Sequence, residues 1–194
     1  ALSPFVMISN ENIEIKATSI YDMDKHDRFK NEFQLTLKTQ VDKAKVGVGF
    51  LRHDNLNGVI DTNEFFISAS WESKFRPFVA VYFDFDKGTG QYVQAGLEKA
   101  LVKGKNAVNF GGKVSYLINN GFVGLDKNGN EFTGLYNGEL YLNSKFNVGK
   151  HIVAEPMLSY TFPLSNDAED AIKRTSVKNE RRTLYGGVTL SVSF

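Results

Sequence analysis

Phe33-Gln34-Leu35-Thr36-Leu37-Lys38-Thr39-Gln40-Val41-Asp42-Lys43-Ala44-Lys45-Val46-Gly47-Val48-Gly49-Phe50 alternates apolar with polar or small residues on both sides of the short turn Asp42-Lys43. A period of two sends successive side chains to opposite faces of an extended strand, so Phe33, Leu35, Leu37 and Val41 share one face with Ala44, Val46, Val48 and Phe50 of the returning strand. Gln34, Thr36, Lys38, Gln40, Lys45, Gly47 and Gly49 fall on the other. The stretch predicts a β-hairpin with one apolar and one polar face.

The same pattern recurs in both directions. Ile13, Ile15 and Ala17 precede it; Phe65, Ile67, Ala69, Trp71, then Val79, Val81, Phe83, Phe85, then Val93, Ala95, Leu97 follow. Val108 to Ile118, Leu140 to Phe146, Ile152 to Phe162 and Leu184 to Phe194 complete the series. About ten antiparallel strands are expected, with eight or twelve as alternatives. Long connections (Asp22 to Asn31, Arg52 to Asn63, Asp86 to Gly90, Asn119 to Tyr136, Ser165 to Arg182) alternate strictly with short turns. A single up-and-down β-barrel over residues 1–194, with short turns at one end, long loops at the other and both termini at the turn end, accounts for that alternation.

Composition bounds the function. Lys plus Arg total 23 against 22 for Asp plus Glu, a formal charge of +1, which leaves no field to hold a nucleic acid backbone. Cys is absent, which removes disulfides, thiolate metal sites and Cys nucleophiles, and 3 His limit imidazole chemistry. Mean hydropathy is −0.27, and no run approaches the roughly 20 apolar residues of a membrane-spanning helix. Yet 16 Phe, 8 Tyr and 17 Gly accompany this polarity. The apolar face carries no charge at its strand centres, Lys99 being the one misfit near a turn. A charge at a bilayer midplane costs about 2 to 4 kcal/mol. Aromatic residues gather toward the ends of the apolar face, Tyr21, Phe33, Phe50, Phe65 and Phe85 near the loops, Trp71, Phe75, Phe146 and Phe194 near the turns. These features favour a transmembrane barrel, with short periplasmic turns and longer outer loops, over a lipocalin-like soluble one.

With the apolar face toward lipid, the lumen-lining charges are Glu14, Lys16, Lys38, Lys45, Glu72, Asp84, Glu98, Lys113, Glu139, Lys145 and Glu155. Acids and bases nearly balance, and Lys45 and Glu72 are expected to pair across adjacent strands and narrow a partly desolvated path. Small inward residues such as Gly47, Gly49, Gly96 and Gly111 point to open volume, which Tyr82, Tyr92, Tyr141 and Tyr185 would partly fill.

The terminal segment Tyr185-Gly186-Gly187-Val188-Thr189-Leu190-Ser191-Val192-Ser193-Phe194 resembles the last strand of bacterial outer-membrane β-barrel proteins, which ends in Phe after alternating apolar residues. The resemblance implies a Gram-negative outer membrane, contact with lipid and lipopolysaccharide, and an assembly signal in Tyr185, Val188, Leu190, Val192 and Phe194 that the barrel-assembly machinery reads. The chain opens without an initiator Met or a basic and apolar leader, as expected of a mature secreted form.

Catalysis is not expected. Proteases of the omptin kind place Asp and His at the outer rim, but His151 falls in a short turn and that family's chains are considerably longer, and no His falls on the lipid-facing positions that a lipid A hydrolase would use. No cofactor is implied. His53-x-Asn55-x-Asn57-Gly58-x-x-Asp61-x-x-Glu64 has calcium-loop spacing, but His stands where a hard cation wants a carboxylate, and an Asn/Gly-rich hairpin loop is the plainer reading. The loop from Ser165 to Arg182 divides into an acidic part (Asp167, Glu169, Asp170) and a basic part (Lys173, Arg174, Lys178, Arg181, Arg182), which either pair internally or bind lipopolysaccharide phosphates. The expected function is a narrow passive channel for small solutes; the alternative is a closed structural or adhesin-like barrel whose outer loops bind partners.

Overall fold

The computed structural model describes residues 4–22, 27–55, 61–86, 90–102, 106–125, 130–148, 152–175 and 180–192. Its strands are β1 (Phe5–Ser9), β2 (Ile13–Asp22), β3 (Asp27–Val41), β4 (Ala44–Asn55), β5 (Thr62–Trp71), β6 (Arg76–Asp84), β7 (Gly90–Val102), β8 (Ala107–Leu125), β9 (Glu131–Asn147), β10 (Ile152–Pro163) and β11 (Thr183–Val192), with one helix, α1 (Asn166–Thr175), before β11. All eleven strands lie in chain order in one antiparallel up-and-down sheet. The hairpin read from Phe33 to Phe50 is present in the expected register, Leu35 opposite Phe50 and Val41 opposite Ala44.

Ten of these strands match the expected ten, and β1 is the addition. Phe5-Val6-Met7-Ile8-Ser9 is apolar almost throughout, so it lacks the alternation that marks the others. It pairs with β2 from Phe5↔Thr18 to Ser9↔Glu14. The Asn10 side chain closes the turn by accepting the backbone N–H groups of Asn12 and Ile13, each at 2.8 Å. An eleventh strand also corrects the expected position of the termini: β1 begins toward the loop end and β11 finishes at the turn end. Among the described residues β1 and β11 do not pair, so the sheet is not closed.

The strands extend into segments expected to be loops. β8 runs to Leu125 and β9 begins at Glu131, inside the stretch from Asn119 to Tyr136. The alternation is lost there because the register shifts between Leu117 and Asn120 and again between Asn120 and Leu125. Asn119 takes a positive φ of 46°, and its N–H donates to Thr133 Oγ1 at 2.9 Å rather than continuing the ladder.

The two faces differ in polarity, and the exposed face is the apolar one. Leu37, Ile67 and Leu190 are 51%, 52% and 66% exposed, while Thr36, Ser115 and Ser159 on the opposite face are 6%, 3% and 1% exposed. Cavities shared by non-neighbouring strands open on the polar face, one reaching from Lys30 on β3 to Tyr136 on β9. The sheet therefore curls with its polar face concave.

The small residues of the concave face do not leave the space expected of them. Gly49 lies opposite Phe66, Gly96 opposite Phe78 and Gly111 opposite Tyr141, and in each pair the ring lies across the glycine. A Cβ at Gly49 would meet both the Leu35 carbonyl and the Phe66 ring, whereas one at Gly187 would meet nothing within 4 Å. Gly49→Ala is expected to lower unfolding free energy by about 1 to 3 kcal/mol through overpacking. Gly187→Ala is the control and should leave it nearly unchanged. Urea titration in detergent reads both, and equal effects would show that ring packing over glycine is not the cause.

Candidate functional site on the concave face

Most of the charges assigned to one face by strand alternation meet in pairs; Glu98 is paired with Arg76, which was not among them, and Asp84 has no Lys or Arg partner among the described residues. Lys38 Nζ lies 3.1 Å from Glu14 Oε2, Lys45 Nζ 2.8 Å from Glu72 Oε1, Arg76 2.5 Å from Glu98, Lys113 3.0 Å from Glu139, and Lys145 4.0 Å from Glu155. Lys16 instead sits over the Phe5 ring, 4.9 Å from its centroid. Lys99, the misfit on the convex face, lies 5.4 Å from the Phe75 centroid, with a register shift one residue farther along. A ring face offers an ammonium group some of what water would.

Glu139 ties together the last four strands. It lies opposite Lys113 in the β8–β9 ladder, Ser159 Oγ on β10 donates to it, and Tyr185 on β11 donates its hydroxyl at 3.0 Å. A carboxylate has the lone pairs for all three partners, which is why a charge only 8% exposed is tolerated there. Nearer the turn end Arg76 donates to Asn109 at 2.7 Å, Asn109 to Asn143 at 2.9 Å and Asn143 to Glu98 at 3.1 Å. This second network joins β6 through β9.

The Lys45–Glu72 pair forms as expected but not where expected. Its side chains are 58% and 53% exposed at the turn end of the concave face, so it does not narrow a desolvated path. The hydrogen bond from Lys45, and then its charge, hold the Glu72 carboxyl below the ordinary carboxylate range.

A row of rings crosses the concave face. Phe66, Tyr82 and Tyr92 occupy directly opposed positions on β5, β6 and β7, and Leu117 continues the row on β8. Ring centroids are 5.5 Å apart for Phe66 and Tyr82 and 5.8 Å for Tyr82 and Tyr92. On the turn side are cavities of 720, 680 and 550 Å³, successive ones sharing wall residues such as Arg76 and Lys45. On the loop side is one of 310 Å³.

Beside that loop-side cavity sits α1, an element the sequence reading took for loop. Ala168 and Ala171 are fully buried against Leu117 and Phe132, with Tyr92 and Tyr136 packed around them. Ser165 caps the helix: its Oγ accepts from the Ala168 N–H at 3.1 Å. The acidic and basic zoning of this segment is the charge order of a helix, with Asp167, Glu169 and Asp170 in its first half and Lys173 and Arg174 in its last turn. Glu169 also pairs with Arg181. The spacing of Ala168, Ala171 and Ile172, with Ser165 before them, was the available signal, obscured because alanines form only a weak apolar stripe.

The calcium-loop residues serve the hairpin. Asp61 accepts the Asn55 N–H at 2.8 Å and so closes the β4–β5 connection. His53 faces Glu32 at 3.1 Å through Nδ1 and Glu64 at 3.8 Å through Nε2. Nδ1 lies off the line that a hydrogen bond to Glu32 requires. Asn57 lies outside the described residues. Among the described residues no three His or carboxylate side chains are placed to hold a metal.

Of the expected assembly-signal residues, Val188 and Leu190 are exposed on the convex face, Tyr185 reaches Glu139 on the concave one, and Val192 pairs with Ile152 in the backbone ladder. Phe194 lies outside the described residues. No family model matches the sequence, and no curated protein is significantly similar to it.

Two neutralising substitutions should behave differently. Glu139→Gln removes the counter-charge of the partly buried Lys113 and the acceptor shared by Ser159 and Tyr185, and is expected to destabilise by about 1 to 3 kcal/mol. Glu72→Gln breaks a solvent-exposed pair, and its effect on the same urea titration should not be measurable. Because the Glu72 pKa is depressed, its contribution is present above the ordinary value of 4.5 and is lost only as pH falls through the lower folded value. An NMR carboxyl titration midpoint at or above the ordinary value would contradict this placement.

Proposed function

We propose that the chain is a β-barrel of a Gram-negative outer membrane that acts as a narrow passive channel for small solutes. The observation that carries this reading is the inverted polarity of the sheet: large apolar side chains face outward and paired charges face inward. Exposed apolar area costs about 25 cal/mol per Å² in water, so a continuous apolar outer face is favourable only against lipid or another apolar surface. Polar interior groups paired with one another then line a path that water can enter. The turn-side cavities, in sequence beneath the Phe66–Tyr82–Tyr92 row, are consistent with a wide lower vestibule and a single constriction. Lipopolysaccharide and the barrel-assembly machinery are the partners such a barrel would require.

Closure is part of the proposal. A bilayer does not tolerate an unpaired strand edge, and strand direction alternates through eleven strands, so joining β1 to β11 directly makes a parallel seam. The absence of Cys makes this easy to test. Ile8→Cys combined with Val188→Cys or Leu190→Cys, positions on the outer face of the two edge strands, should give an intramolecular disulfide in detergent-folded protein. Ile8→Cys with Leu142→Cys should give none. Failure of both seam pairs in folded protein would overturn direct closure.

The second reading, a closed surface-interaction barrel, is favoured by the same ring row together with α1, since both occupy the concave face near the loop end. Planar-bilayer recording separates the two. A channel gives stepwise current, and Tyr92→Ala should raise its single-channel conductance by removing one ring of the constriction. Folded, heat-modifiable protein that gives no current, with or without Tyr92→Ala, would overturn the channel and leave the closed barrel.

A further inference from the structure

Around the concave face each acid beyond the loop-side cavity has a base: Glu14 has Lys38, Glu72 has Lys45, Glu98 has Arg76, Glu139 has Lys113 and Glu155 has Lys145. Glu64 and Asp84 depart from this rule. Among the described residues neither has a Lys or Arg within ion-pairing distance, and Lys30, which also borders the cavity, is held 2.8 Å from Glu32. Among the described residues Asp84 accepts the Thr62 hydroxyl and the Asp86 N–H, and Glu64 faces the His53 ring at 3.8 Å.

These two carboxylates also lie directly opposite each other on β5 and β6. Like charges at opposed positions on neighbouring strands repel, and the arrangement is destabilising unless a cation lies between them. Both side chains line the 310 Å³ cavity, whose other walls are the apolar bodies of Tyr92, Tyr136 and Leu117 and a polar side that includes His53, Thr62 and Asn120. At about 30 Å³ per water molecule this is far more room than a bare ion fills, and it is close to the lower end of small-molecule sites. Among the described residues no three His or carboxylate side chains are placed to hold a metal, whereas the tyrosine rings suit the body of an organic cation, which gains from ring faces as well as from charge.

We propose that this cavity is a binding cup for small organic ammonium compounds, with Glu64 and Asp84 holding the charged nitrogen and Tyr92 and Tyr136 holding the apolar body. The cup lies on the loop side of the ring row, so a solute arriving from the loop end meets it before the constriction. It thereby gives the channel a substrate class, and in that respect it rests on the channel reading; binding itself is measured without current, so the two can fail separately.

The test is calorimetric titration of the full chain, folded in detergent, with phenethylamine, with phenylacetate as a probe of the same shape and opposite charge, and with calcium chloride. Phenethylamine should bind saturably and phenylacetate should not. Glu64→Gln with Asp84→Asn should weaken phenethylamine at least tenfold, and because that change removes a repulsion, the double variant should fold and melt no lower than wild type. Tyr136→Leu keeps both carboxylates and should weaken binding several-fold. Equal binding of phenylacetate, undiminished binding by the double variant, no binding by folded wild type, or displacement of phenethylamine by stoichiometric calcium would each overturn the cup. Saturable phenethylamine binding in protein that gives no bilayer current would support the cup and overturn only the channel.

Discussion

The constraint on which the structure depends is that the sheet turns its apolar face away from its own interior. A water-soluble β protein buries that face and derives most of its stability from doing so. Here the described residues leave the fold a small buried apolar cluster, around Leu117, Phe132, Ala168 and Ala171, and the work of holding the curled sheet passes to the backbone ladder and to polar contacts on the concave side. The Lys113–Glu139–Ser159–Tyr185 and Arg76–Asn109–Asn143–Glu98 networks each cross several strands, as such contacts must if they are to fix curvature and not only pair neighbours.

The same constraint shapes the interior. Charges on a concave face come close together as the sheet curls, so each needs a partner of opposite sign, and most have one. Where rings and glycines alternate across neighbouring strands, as at Gly49 and Phe66 or Gly111 and Tyr141, the glycine admits the ring and the interior fills. Small residues therefore mark where neighbouring rings lie. On the proposed reading this makes the passage narrow at the Phe66–Tyr82–Tyr92 row and wider toward the turns, and it leaves the loop side, where Glu64 and Asp84 have no Lys or Arg partner among the described residues, as the chemically distinct compartment.

Alternation alone determined a great deal. The period of two in Phe33 to Val41 and Ala44 to Phe50, repeated along the chain, was sufficient for ten strands, their antiparallel order, the alternation of short and long connections and the face to which each charge belongs, because side-chain direction in a strand is a local property of the backbone. The pairing of Lys45 with Glu72 was legible because alternation puts both on one face at the same end of strands that follow each other in sequence.

What lay beyond reach required knowledge of positions distant in sequence. β1 carries no alternation and is defined only by its ladder with β2; the extension of β8 and β9 passes through register shifts that erase the pattern; α1 is held by packing of two alanines against strands far along the chain. The exposure of Lys45 and Glu72 and the closing of Tyr92 and Tyr136, from β7 and β9, around the opposed Glu64 and Asp84 are likewise products of curvature. A local period states which face a residue occupies, but the distance between residues across that face, and hence whether they pair, fill or leave a space, is set only when the whole sheet bends.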